Sequence, residues 1–387
     1  MAISAIALET ALLGMVAPLL PEIEHRTGAG DETLGLALAA YALPILVISL
    51  PVGRLADRIG RRPLLLGGLV LTGLGSILIA ISGALPPLLI GRSVQGVGST
   101  LSWVAALALV SDLARPGRKG EAIGFALAAN SLGAIGGPAL GGIVGGAISF
   151  EAPFLLVSVI AAMIFALGWV VLPRSIPNPA EITREVGRVG TLLRRSAAMP
   201  ATIAIIAAGT LGMIDFVVPL DLDRRLGTSA TTIGLLFAAV ALVDAATSPL
   251  AGRAGDRLGR RPVAFAGAAV MGASGLLLAA LGGFAGAAAA LGILAFGICI
   301  TFAATIPWLD ETFGELDRGL AYGGLNLVYA LGYTIGPLLG GWMLGHSGAD
   351  TAYVMIAATS LTLAFALAVS WWRHARVRGE YEYMTAD

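Results

Sequence analysis

Four ionisable side chains fall inside long apolar stretches of this 387-residue sequence: Glu9, Arg92, Asp215 and Asp244. Burying a charge in such a place costs on the order of 2.5–3.5 kcal/mol on insertion scales, so each is a candidate for function. A carboxyl shielded from water can load and release a proton near neutral pH where its surroundings favour the neutral form. Proton transfer is therefore the chemistry open to Glu9, Asp215 and Asp244. Arg92 either modulates such a carboxyl or braces its helix through backbone carbonyls. At about 1.5 Å per residue, Glu9 lies about 18 Å from the outer end of its stretch, with Asp244 at similar depth, while Arg92 and Asp215 lie within about 10 Å of the outer surface. Depth favours Glu9 as the proton carrier. The three histidines, His25, His346 and His374, fall in expected loops or the tail, which argues against a histidine relay or a buried metal site. Cys299 is the single cysteine, so no internal disulfide can form, and it reads as a small apolar core residue.

The elements that must position these groups are membrane helices. The chain is 57% hydrophobic and only 12% charged, against about 25% charged in soluble domains. Its mean hydropathy is +0.87, and its 53 glycines suit close helix packing in lipid. A net charge of zero gives no sign of a nucleic-acid partner. Twelve stretches are long enough to span a bilayer: about 3–20, 33–53, 63–82, 87–110, 122–147, 153–172, 200–220, 232–252, 262–282, 286–309, 320–345 and 351–372. Met1 leads straight into apolar sequence without a basic n-region or a cleavage site, which reads as the first span rather than a signal peptide.

One run occurs twice. Gly53–Leu65 (Gly-Arg-Leu-Ala-Asp-Arg-Ile-Gly-Arg-Arg-Pro-Leu-Leu) returns, nearly unchanged, as Gly252–Ala264, 199 residues later. Gly133, Pro138, Gly141 and Gly142 return at the same offset as Gly332, Pro337, Gly340 and Gly341. The sequence therefore predicts an all-α membrane protein of two six-helix halves, residues 1–172 and 200–372, with a linker over 173–199 and a tail over 373–387. Six spans per half make a parallel repeat about an axis along the membrane normal, with the cargo site between the halves. With the 53–62 turn in the cytoplasm, all Lys and Arg except Arg26, Arg224, Arg225 and the intramembrane Arg92 fall on the cytoplasmic side. Both termini are then cytoplasmic.

The turn has its own physics. Gly60 and Gly259 suit the positive φ of a tight reversal, and Pro63 and Pro262 suit the first turn of the helices that follow. Gly133, Gly137 and Gly141 form a small-residue stripe for close helix contact, and Pro138 removes a helix hydrogen bond and is expected to kink it.

These motifs resemble the major facilitator superfamily along essentially the whole chain, and within it the 12-span drug:proton antiporters. Gly53–Leu65 resembles the family's signature between spans two and three. Leu89–Gly98 (Leu-Ile-Gly-Arg-Ser-Val-Gln-Gly-Val-Gly) resembles the fourth-span signature built on an Arg. Gly133–Gly142 resembles the fifth-span signature of exporters. Two departures stand out: Glu9-Thr10 replaces the Asp-Thr of many relatives, and Leu291 occupies the second-half equivalent of Arg92.

The resemblance implies roles. Asp57 would face the N-terminus of the eleventh helix near Gly319, where the helix dipole favours an anion. An arginine of the turn (Arg58, Arg61 or Arg62) would pair with Asp112, and such contacts would latch the halves in the outward-facing state. The stripe, with Pro138 and Gly142, would meet the eighth span and seal one conformation. Cargo would touch aromatic and amide groups on the cavity-lining spans: Tyr41, Gln95, Trp103, Asn130, Trp308, Asn326 and Tyr329. The expected activity is proton-coupled export of small hydrophobic or drug-like compounds by alternating access. The alternative is a symporter importing a small anion or metabolite, with Arg92 as the anion partner. No nucleotide-binding loop or metal cluster suggests an enzyme. The expectation is a monomer in the inner membrane that takes energy from the proton gradient and needs no cofactor or metal.

Overall fold

The computed structural model describes residues 1–114, 118–172, 195–313 and 318–384. Among them, twelve helical spans are long and apolar enough to cross a membrane. The first comprises a helix Ala2–Met15, a turn of 3₁₀ helix Ala17–Leu19 and a short helix Leu20–Thr27. The rest of the first half is the second span Asp31–Ile59, the third Arg61–Ala80, the fourth Leu85–Asp112, the fifth Lys119–Ala147 and the sixth Glu151–Val171. The second half is the seventh span Arg195–Leu226, the eighth Ala230–Leu258, the ninth Arg260–Ala280, the tenth Gly283–Phe313, the eleventh Arg318–Ser347 and the twelfth Ala349–Met384.

Several ends differ from the sequence expectation. The second span does not stop at residue 53; it stays helical through the basic run to Ile59. The reversal is confined to Gly60, whose φ of 92° lets the third span begin at the next residue. Gly259, at φ 90°, does the same between the eighth and ninth spans. The charged run is helical because Arg, Leu, Ala and Asp extend a helix in water until a residue with positive φ ends it. The twelfth helix runs past residue 372 into the expected tail. Pro138 lies inside an unbroken fifth helix, and residues 173–194 of the expected linker lie outside the described residues.

Two seams join the halves, the second span against the eleventh and the fifth against the eighth. The 199-residue offset maps one seam onto the other. The fifth span also packs on the first, and the eleventh on the seventh. The end carrying Gly60 and Gly259 is called the turn end below, and the opposite end the far end.

Candidate functional site

Glu9 sits on the first span at 1% exposure. Thr72 Oγ1 of the third span donates to Glu9 Oε1 at 3.0 Å and lies 3.3 Å from Oε2. From the fourth span, Ser99 and Ser102 are buried beside it. Among the described residues no cation lies within ion-pair distance of this carboxyl. The site is built by the periodicity of three helices: Thr72 and Ser76 lie one turn apart on the third span, and Gln95, Ser99 and Ser102 share a face of the fourth.

From Glu9 the polar contacts run on to Arg92. Ser76 Oγ donates to the Thr72 carbonyl at 2.8 Å, Gln95 Nε2 donates to Ser76 Oγ at 2.8 Å, and Arg92 Nη1 donates to Gln95 Oε1 at 3.0 Å. Tyr41 of the second span closes the circuit. Its hydroxyl donates to Ser99 Oγ at 2.7 Å and lies 3.4 Å from the Glu9 carbonyl. Its ring lies 4.6 Å from the Arg92 guanidinium carbon. Arg92 itself is 1% exposed. The first half thus holds one buried acid and one buried cation that do not touch each other but share Tyr41.

The second half has a separate acid. Asp215 of the seventh span, 8% exposed, accepts a 2.6 Å hydrogen bond from the hydroxyl of Tyr333 on the eleventh. Tyr333 stacks on Tyr329 with ring centres 5.8 Å apart, and Tyr329 lies 6.1 Å from Phe302 of the tenth span. These three rings form an aromatic row beside the acid.

The other expected residues are dispersed. Asp244 is exposed rather than enclosed, because its stretch of the eighth span has few covering neighbours there, and its carbonyl accepts from Cys299 Sγ at 3.4 Å. Gln95 is fully buried in the Arg92 chain and does not line an open surface. Tyr41 is likewise buried. Asn130 accepts at 2.7 Å from Thr10 Oγ1, and Asn326 Nδ2 donates to Ser49 Oγ at 3.2 Å across the second–eleventh seam. Trp103 is partly buried. Trp308 packs near Arg261, 5.7 Å from ring centre to guanidinium carbon, next to the turn and away from the aromatic row.

At the turn end, Arg61 Nε and Asp112 Oδ2 lie 3.0 Å apart. Both belong to the first half, so this pair ties the third span to the fourth. Arg62 turns away from it: it donates to the Trp169 carbonyl at 2.6 Å and lies over the Trp169 ring. Arg58 is exposed. The Asp57 side chain lies outside those described, as does the surface of the eleventh span near Gly319.

The glycine stripe differs from expectation in its partner. A Cβ at Gly133, Gly137 or Gly141 would strike the carbonyls of Ala7, Ala11 and Met15, so this face packs on the first span. Gly142 turns about 100° further round the helix and meets Gly234 of the eighth span. The repeat reproduces both faces. Gly332 and Gly336 pack on the seventh span, and Gly341 meets Asp31 of the second.

Sequence reasoning missed Thr72, Ser76, Tyr333 and Phe302, because hydroxyls and rings are ordinary in membrane helices. The four-residue spacing of Tyr329 and Tyr333 was the available signal. It also read Arg224 only as a charge to be counted. Arg224 Nη2 lies 2.6 Å from Glu24 Oε1 and also pairs with Asp31, joining the halves at the far end.

Comparison with known proteins gives one consistent answer. The family model described as Major Facilitator Superfamily matches residues 2–219 and again 200–382. Tetracycline resistance protein class C of Escherichia coli is 28% identical, over 86% of this chain and 86% of its own length. Multidrug resistance protein 1 of Bacillus subtilis is 25% identical, over 93% of this chain and 92% of its own. Among solved structures, a bacterial homologue of the human lysosomal transporter Spinster, in an inward-facing and occupied conformation, superposes with a TM-score of 0.78 at 14% identity, covering 97% of this chain and 96% of that one.

Proposed function

The chain belongs to the major facilitator superfamily, and from that premise we propose that it is a proton-coupled exporter of small hydrophobic or drug-like compounds. The observation that carries this reading is Glu9: a carboxyl buried in the first span, held by a neutral hydroxyl and, among the described residues, without a counter-cation. An acid kept in that setting suits a group that is neutral for part of its cycle. The names of the relatives, resistance to tetracycline and to multiple drugs, support a drug-like cargo and outward direction. The aromatic row of Phe302, Tyr329 and Tyr333 offers stacking surfaces to such compounds.

In this reading the turn end faces the cytoplasm, as the Lys and Arg count favours, and the protein works as a monomer in a cell membrane. The halves rock about the two seams. Protons moving inward through Glu9 drive cargo outward, and the gradient is the only energy source.

Transport in inside-out vesicles with an imposed proton gradient, using a panel of dyes, tests the proposal. Dye accumulation should collapse with the gradient and be lost in Glu9→Gln. Accumulation indifferent to the gradient ends the proton-coupled reading, and a fully active Glu9→Gln removes Glu9 from the coupling role.

A further inference from the structure

Arg92 is the largest fully buried side chain among the described residues, and its hydrogen-bonding capacity is not spent. Nη1 reaches Gln95, but Nε and Nη2 are buried without a hydrogen-bond partner. No carboxylate lies within ion-pair distance among the described residues. An enclosed guanidinium with two open donors is costly and calls for a partner that arrives in another state.

The seam between the halves indicates which partner. Tyr41, on whose ring Arg92 lies, belongs to the second span, which packs antiparallel on the eleventh. Two contacts fix their register: Gly35 against the Pro337 carbonyl toward the far end, and Ser49 bonded to Asn326 toward the turn end. Tyr41 lies six residues inward from Gly35, and Tyr333 lies four residues inward from Pro337. The two tyrosines therefore lie at about one level of the membrane, Tyr41 turned to Ser99 of the fourth span and Tyr333 to Asp215 of the seventh. Tyr333 is within electrostatic reach of Arg92 and donates to Asp215. Asp215 also stands at the right depth. It lies seven residues beyond Ala208, the repeat equivalent of Glu9, or about 10 Å nearer the far end, in the same outer half as Arg92.

We propose that Asp215 and Arg92 are exchange partners across the halves, with Tyr333 as the residue that positions Asp215 between them. When Asp215 gives its proton to water, its carboxylate takes the open Nε and Nη2 of Arg92 in a bidentate pair, the arrangement a guanidinium and a carboxylate favour. On reprotonation it returns to the Tyr333 hydroxyl. The groups facing this exchange are Tyr333 and Tyr329 from the eleventh span, Arg92 from the fourth and Tyr41 from the second, with Asp244 of the eighth within reach of Tyr329. The first half would then carry the cation for an acid of the second. This accounts for the unequal repeat, in which Arg92 has only Leu291 as its counterpart. The inference rests on the proton-coupled reading and adds a second proton site to it.

A double-mutant cycle on purified, liposome-reconstituted protein decides the matter. Spin labels at Ile148 and Ser229, in a Cys299→Ala background, report the distance between the halves as pH is varied. In the parent the distance distribution should change with pH. Asp215→Asn and Arg92→Gln should each remove at least part of that change, and the double variant should be no worse than either single. Strict additivity of the two overturns the pairing. Should Arg92→Gln fail to fold, Tyr333→Phe serves: it should displace the midpoint of the part of the pH response that Asp215→Asn removes, and an unmoved midpoint overturns the proposal. Binding of an anionic dye that is lost in Arg92→Gln but intact in Asp215→Asn would assign the open nitrogens to cargo instead and also overturn it. Dye-driven proton movement is measured in parallel. If the parent moves no protons, the functional reading fails together with this inference. If the parent moves them and Asp215→Asn keeps the full pH response, this inference alone fails.

Discussion

Glu24 of the first span and Arg224 of the seventh lie 2.6 Å apart across the far end of the two halves, and the repeat gives this contact a mirror image. Shifting by 199 residues turns Glu24 into Asp223 and His25 into Arg224. His25 Nε2 does lie 3.8 Å from Asp223 Oδ2. The helix ends that carry the two pairs are finished alike, by Gly28 and Gly227 at φ 61°. Among the described residues the far end is thus bridged by Arg224, paired with both Glu24 and Asp31, and by the contacts of His25 with Asp223 and His346 with Glu32.

Removing the Arg224 pairs should open the far end. Arg224 bonds both Glu24 and Asp31, and its side chain is about a third exposed. Partly exposed pairs contribute up to about 1 kcal/mol each. Arg224→Ala removes two such pairs and should therefore shift the closed-to-open ratio by about fivefold to 30-fold, 1.4 kcal/mol being tenfold. Spin-label distances between Ile148 and Ser229 measure the shift, and high salt should reproduce part of it in the parent. An unchanged distance distribution in Arg224→Ala removes this cluster from the gate.

Much of this architecture could be read from residue order, and the reasons are physical. Twelve apolar stretches and a 199-residue offset are one-dimensional signals, and they specified the spans and the two halves. Glu9, Arg92 and Asp215 stood out because charge inside an apolar helix is costly. What could not be read was which helix each group faces. Gly137 was expected against the eighth span and lies against the first, because the stripe and Gly142 occupy different faces of one helix. Tyr333 became visible only when the fold brought its hydroxyl onto Asp215 of another helix.

The pair of Arg61 and Asp112, expected to contribute to a latch between the halves, has both its members in the first half. It joins neighbouring spans of one half, and the two side chains are 26% and 45% exposed. Arg61→Ala should lower stability by no more than about 1 kcal/mol and leave the Ile148–Ser229 distance unchanged. Thermal unfolding in detergent gives the first quantity and spin-label spectroscopy the second. A large change in the distance distribution would restore the latch role to Arg61.

Gly142 and Gly234 give the sharpest test of alternating access. Their α-carbons approach so closely that a Cβ on either would run into the other helix: from Gly142 it meets the Ala230 carbonyl, and from Gly234 the Pro138 carbonyl. The obstruction is backbone, which cannot rotate away as a side chain would. Overpacking of this kind costs about 1–3 kcal/mol, and here that cost falls only on the state in which the fifth and eighth spans touch. Gly142→Val should therefore hold the far end open, slow turnover and leave thermal stability nearly intact. Gly137→Val should instead lower stability, because Gly137 packs on the first span within one half. Labels at Ile148 and Ser229 and a melting curve separate the two. If both variants lose stability equally and neither opens the far end, the fifth–eighth seam is fixed packing and not a moving gate.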